Sequence, residues 1–210
     1  HASQQPMMAS RPRIVQVPGN GGGDIRNCNF YGWAERAFKQ RGYTVKLPEG
    51  GMPDPLRARR AIWVPHIINE MCEQDAASSV IVGHSSGACA ALRVAESSKV
   101  KGIVLVAAYD DPLGDANEAA SGYFDEPFDW SAIRNNCDFV VQFAGAQDQF
   151  LPIDVQRRVA QSLNLTSCLS ASEASPENAF VYFELPRGDH FFSPPFDDLV
   201  ESVDGCLGYL

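Results

Sequence analysis

No stretch of this sequence is apolar for long enough to cross a bilayer. The longest clearly apolar run, Ile103 to Ala108, falls far short of the ~20 residues a spanning helix needs. Residues 1–10 carry no apolar core of the kind found in a secretion signal, so they are expected to form a tail outside the fold of a cytoplasmic protein. The six cysteines (Cys28, Cys72, Cys89, Cys137, Cys168, Cys206) include no C-x-x-C pair and are widely and irregularly spaced. That spacing predicts reduced thiols rather than a disulfide framework. H-x-x-x-H and clustered His/Cys/carboxylate spacings are also missing, so neither a metal nor another cofactor is expected. Positive charge is in short supply, with 17 Lys and Arg against 26 Asp and Glu and a net charge of -9. Such a surface repels polyanions, which argues against nucleic acid and anionic membrane as partners. The one basic cluster, Arg57, Arg59 and Arg60, reads as the solvated start of a helix.

What remains is an ordinary globular composition, 45% apolar and 20% charged over 210 residues, the size of a single domain. There is no internal repeat and no linker that would split the chain. Short β-branched runs alternate with longer stretches of helical period, the pattern of parallel strands joined by crossover helices. Six strands are predicted: Arg13 to Val17, Tyr43 to Leu47, Ser79 to Val82, Gly102 to Ala107, Phe139 to Phe143 and Phe180 to Leu185. Runs such as Ile103-Val104-Leu105-Val106 suit strands covered on both faces, as parallel sheets require. Helices are predicted over Tyr31 to Gln40, Leu56 to Cys72, Ser86 to Ser98 and Phe196 to Val203. The spacing of Val155, Val159 and Leu163 adds a one-sided amphipathic helix. Two stretches break the rhythm: residues 110–136, with four Gly and Pro and several aromatics, read as a small cap, and residues 166–178 read as a surface loop.

Gly83-His84-Ser85-Ser86-Gly87 is a G-x-S-x-G sequence between a predicted buried strand and a predicted helix. In that setting the serine sits on a sharp strand-to-helix turn that exposes its hydroxyl, and side chains at the glycine positions would collide. A serine hydroxyl needs a base, and the base needs a third group to hold its tautomer. Of four histidines, His1 is in the tail, His66 is mid-helix, and His84 adjoins the serine with its side chain expected to point elsewhere. His190, in the loop after the last predicted strand, is the candidate base. Asp148, after the strand Phe139 to Phe143, is the candidate acid, with Asp110, Asp111 and Asp189 as competitors. The order Ser85, Asp148, His190 is the α/β-hydrolase order. For the oxyanion, Ser86 N–H is one candidate donor. The glycine-rich loop Pro18 to Gly23 supplies the other, with Asn20 N–H preferred and Gly21 its neighbour. That loop fails the G-x-G-x-x-G phosphate pattern at Asp24, and no G-K-[ST] follows, so nucleotide binding is not expected. Trp63, Tyr123 and Phe191 are candidates for the wall of an apolar acyl pocket.

Beyond single motifs, the chain resembles the family of small serine hydrolases typified by retinoblastoma-binding protein 9 and its YdeN-type bacterial relatives. The resemblance is carried by Pro18 to Gly23, Met52-Pro53-Asp54-Pro55, Ile62-Trp63, Gly83 to Gly87, Ala120 to Phe124 and Phe150-Leu151-Pro152, in the family's order. It implies a three-layer α/β-hydrolase fold of about six mainly parallel strands with helices on both faces and a reduced cap. It also implies a triad of Ser85, Asp148 and His190. The L-x-C-x-E docking sequence of the namesake is absent, its region reading Asn69-Glu70-Met71-Cys72-Glu73-Gln74, so a retinoblastoma-type partner is not expected. The expected activity is hydrolysis of a small acyl substrate, an ester, thioester or amide. The competing expectation is a binding or scaffold protein that keeps the fold without turnover.

Overall fold

A computed structural model describes residues 10–21 and 23–210. The tail expected over residues 1–10 therefore lies, Ser10 apart, outside the described residues. Seven strands form one sheet in the order β2-β1-β3-β4-β5-β7-β6, and every pairing is parallel. They are β1 (Arg13–Val17), β2 (Thr44–Lys46), β3 (Ser79–His84), β4 (Val100–Val106), β5 (Cys137–Gly145), β6 (Thr166–Cys168) and β7 (Phe180–Leu185). The central strands are buried on both faces, β3 along its whole length, which is why their apolar runs do not alternate. The helices are α1 (Tyr31–Gln40), α2 (Arg60–His66), α3 (Ser86–Ser97), α4 (Ala116–Ala119), α5 (Trp130–Asn135), α6 (Ile153–Ser162) and α7 (Asp197–Cys206). α1 packs with α7, which also covers a 3-10 turn at Ala171–Glu173, whereas α2 and α5 pack against α3. Right-handed crossovers between parallel strands put these two groups on opposite faces of the sheet. No helix among the described residues is long and apolar enough to cross a membrane.

Three expectations change. The sheet has seven strands rather than about six, because the stretch 166–178 is not wholly a loop. Its first three residues pair with β7 as β6, and Ala171–Glu173 closes a capping box on Ser170. Thr166 and Ser167 are exposed and only Cys168 is buried, so an edge strand this short shows no apolar period to read. The helix predicted from Leu56 to Cys72 starts at Arg60, four residues later. Pro65 lies inside it, and the chain then widens into a π-helical turn over Ile67–Met71, closed by Cys72 N–H on the Ile67 carbonyl at 2.8 Å. The cap over 110–136 contains two short helices, α4 and α5.

The cap is tied down from below by Arg93 of α3. This guanidinium is almost wholly buried and bonds the backbone carbonyls of Tyr123 (2.5 Å) and Glu126 (2.5 Å). It pairs with Glu96 at 2.7 Å and lies 3.8 Å over the Phe128 ring. Its charge is fully partnered, which is the condition for burying an arginine at all.

Candidate active site

β1 and β3 are neighbours, yet from β1 the chain proceeds to β2 on one side and from β3 to β4 on the other. A crevice opens at the carboxyl ends of strands where the order reverses in this way. Five loops meet there, following β1, β3, β4, β5 and β7.

The loop after β3 is a single residue, Ser85, with φ 55° and ψ -120°. A left-handed φ is costly for serine and is held here by packing that only glycine permits at the flanking positions. A Cβ at Gly83 would stand 2.3 Å from the Gly87 carbonyl oxygen, and one at Gly87 would stand 2.2 Å from that of Val17. The motif's glycines thus let α3 start hard against β1 and β3, and Ser85 N–H bonds the Val106 carbonyl at 2.9 Å. The serine side chain is left facing a cavity of about 530 Å³.

The loops after β5 and β7 are joined by backbone. Gln147 N–H donates to the Gly188 carbonyl at 2.8 Å and Ala146 N–H to that of Leu185 at 3.0 Å. A Cβ at Gly145 would lie 2.2 Å from the Asp189 carbonyl oxygen, so a glycine there sets how closely the loops approach. Across this seam His190 Nδ1 lies 2.8 Å from Asp148 Oδ2. The Asp148 side chain is fully shielded from solvent, and its Oδ1 accepts the N–H groups of Phe150 and Leu151, both at 2.9 Å. Burial alone would raise its pKa, but the His190 bond and the two backbone donors outweigh it and hold the carboxyl below its usual value. The competing acids have other partners: Asp110 pairs with Arg158, and Asp189 caps its own turn through Phe192 N–H.

In the glycine-rich loop, Gly21 N–H is occupied by the Pro55 carbonyl at 2.7 Å. The N–H groups of Asn20 and Ser86 have no acceptor among the described residues. The Ser85 hydroxyl likewise has no hydrogen-bond partner among them. Unliganded sites often tighten such bonds only around substrate.

A model of the serine hydrolase family matches residues 30–190, the segment that carries all three of Ser85, Asp148 and His190. The chain is a serine hydrolase. It is 40% identical over 201 residues to the serine hydrolase RBBP9 of Rattus norvegicus, a match spanning 95% of this chain and 98% of that protein. In fold the hydrolase is similar to the ydeN gene product of B. subtilis, with a TM-score of 0.69 at 18% identity over 91% of each chain. It also resembles the monoacylglycerol lipase of Paleococcus ferrophilus, with a TM-score of 0.56 at 16% identity over 92% of each chain. These likenesses identify the architecture as the α/β-hydrolase fold.

The hydrolase's cavity walls are not those expected from the sequence. Trp63 is fully buried in α2 with its indole N–H on the Pro53 carbonyl at 2.7 Å. Tyr123 is fully buried at the base of the cap, and Phe191 stacks on Phe196 at 5.1 Å. None of the three lines the cavity. Phe150 and Phe192 do, flanking the His190 ring with centroids 5.0 and 5.5 Å away, together with Leu113, Tyr31 and Tyr109. Phe150 belongs to a sequence landmark of the resemblance, and Phe192 follows His190 by two residues; their exposure is what shows their role.

Glu118 of α4 also reaches the cavity, accepting from Tyr109 OH at 2.7 Å and from Ser86 Oγ at 3.4 Å. Burial raises its pKa, against the pull of those donors. The acid was hidden in a segment whose polar, broken sequence gave no register. No Lys or Arg is among the residues lining the cavity.

Proposed function

We propose that the hydrolase cleaves a small ester, thioester or amide through an acyl-enzyme on Ser85. The observation that carries this reading is the His190–Asp148 pair, 2.8 Å long and buried, opening on the cavity that exposes Ser85. Asp148 holds the proton on His190 Nδ1, which leaves Nε2 free to take the Ser85 proton. Ser85 Oγ bonds to the carbonyl carbon while the N–H groups of Asn20 and Ser86 stabilise the oxyanion. The carbon–leaving-group bond then breaks, and the leaving group takes the proton from His190. Water repeats the attack with the same base, releasing the acid and restoring the Ser85 hydroxyl.

The cavity volume is within the range of small-ligand sites, roughly 300–1,000 Å³. Phe150, Phe192 and Leu113 favour an apolar portion of the substrate. Carboxylates at Asp115 and Glu118, with no Lys or Arg lining the cavity, favour neutral or cationic substrates over anionic ones. The test is a panel of acyl esters, thioesters and amides assayed against the wild type and Ser85→Ala, with fluorophosphonate labelling located by mass spectrometry. Turnover and labelling that both vanish in Ser85→Ala support the reading; labelling at another residue, or equal turnover by the variant, overturns it.

A further inference from the structure

Outside the triad, three hydrogen bonds join the loops that carry it. Gly19 N–H lies 3.0 Å from Tyr31 OH, Tyr31 OH lies 2.6 Å from His84 Nδ1, and His84 Nε2 lies 2.9 Å from the His190 carbonyl oxygen. Tyr31 and His84 are both buried, 3% and 2% exposed, and neither has a role in the proton transfers above.

The direction of every proton in this chain follows by elimination. A carbonyl oxygen only accepts, so His84 Nε2 carries a hydrogen. His84 is neutral, since burial pushes its pKa down to about 3, and a neutral imidazole has one N–H; Nδ1 is therefore a bare acceptor. The phenol of Tyr31, pushed up to about 12 by burial, keeps its proton and donates it to Nδ1. The phenol oxygen is then left to accept from Gly19 N–H. The chain runs in one direction, with every donor and acceptor used.

Its ends are what give it a function. Gly19 precedes Asn20, whose N–H points at the developing oxyanion in the proposed reaction. His84, the last residue of β3, immediately precedes Ser85. His190 is the proposed base itself, and the residue after it, Phe191, holds a left-handed φ of 58° with its ring stacked on Phe196. A non-glycine residue keeps such a backbone only where the surroundings enforce it. Here the His190 carbonyl is anchored by His84 on one side of that strained residue and by aromatic stacking on the other.

We propose that His84 and Tyr31 are positioning residues: a buried relay that locks the oxyanion loop, the nucleophile and the base loop in one mutual geometry. This rests on the proposed reaction. The relay acts on rate rather than affinity, because the atoms it places meet charge only in the transition state.

The test combines Tyr31→Phe, which removes only the hydroxyl, with two His84 variants. The Gln side chain reproduces the Nε2 donor to the His190 carbonyl, and the Asn side chain reproduces only the acceptor for Tyr31. In Tyr31→Phe, kcat on a small aryl ester is expected to fall roughly 10-fold with KM within twofold. That is a fraction of the ~10²–10³ lost when an oxyanion donor is removed outright. Affinity for an aryl boronic acid should fall by the same factor as kcat. His84→Gln, which keeps the bond to the His190 carbonyl, should retain more of the wild-type kcat than His84→Asn, which loses it. ¹⁵N NMR of the wild type should show His84 as the Nε2–H tautomer from pH 5 to 9, a readout that needs no turnover. A Tyr31→Phe protein that is folded and keeps its kcat overturns the relay, as does an Nδ1–H tautomer at His84. Should the His84 variants fail to fold, Tyr31→Phe and the tautomer decide. Absence of any wild-type turnover overturns the proposed reaction instead.

Discussion

Asp148→Asn separates the proposed triad from a merely structural ion pair. The two oxygens of Asp148 have different duties: Oδ1 accepts two backbone N–H groups at 2.9 Å and Oδ2 faces His190 Nδ1 at 2.8 Å. An asparagine has one oxygen to share between them. Turning its NH₂ toward Phe150 and Leu151 would break both backbone bonds and set donor against donor, so the oxygen stays with the backbone. The NH₂ then faces His190 Nδ1, which must become the acceptor. The ring proton moves to Nε2, the nitrogen that has to receive the Ser85 proton. The expected loss is ~10⁴ in kcat, equivalent to about 5 kcal/mol of barrier. The backbone bonds survive, so the fold survives with them. The assay is kcat on a short-chain aryl ester, with circular dichroism to confirm folding and with Asp110→Asn and Asp189→Asn alongside. Those two should stay within a few-fold of wild type, because neither contacts the ring. An Asp148→Asn protein within tenfold of wild type, or a larger loss in either control, would refute the reasoning.

Four further outcomes follow from packing and charge. His84 has a folded pKa near 3 against about 6.5 for a free imidazole, so the unfolded chain binds more protons between those values. Stability should therefore fall as pH drops through that window, by up to about 1.4 kcal/mol per unit from this group. Urea midpoints against pH check this, and an unchanged slope in His84→Asn would contradict it. Gly87→Ala sets a Cβ 2.2 Å from the Val17 carbonyl oxygen, so a loss of at least about 3 kcal/mol is expected in the same denaturation assay. Wild-type stability in that variant would show that the elbow has room the geometry denies. Tyr123 OH is buried without a partner among the described residues, so Tyr123→Phe should keep Tm at or above that of wild type with KM unchanged, whereas Phe150→Ala should raise KM. A raised KM in Tyr123→Phe would show that its hydroxyl meets the substrate.

How much could be read from the chain depended on whether a residue's role is set locally. β1, β7 and α1 follow from their own apolar periods and have the predicted bounds. The serine turn could be read because two backbone contacts under 2.5 Å force glycine at fixed offsets, and steric necessity leaves a motif. Asp148 and His190 stood out by lying just past strand ends, where a parallel sheet gathers its loops. The cavity walls left no such trace. Trp63 and Phe150 are both aromatic residues two positions before a proline, and only tertiary packing buries the first and exposes the second. His84 looked like a spacer in the motif, since its partners Tyr31 and His190 are 53 and 106 residues away. β6 was invisible for a different reason: three residues paired on one side need bury only Cys168.

The two outermost strands, β2 and β6, are three residues each, and they flank inner strands of five to nine. An edge this short offers few unpaired backbone donors and acceptors to a passing chain. Thr44 is exposed, and Lys46 carries a charge paired with Glu73 at the same border. Strand-to-strand polymerisation needs a long, flat, uncharged margin on which to template, and this sheet has none among its described residues. Its richly apolar interior can therefore be concentrated without offering an edge on which fibres could start.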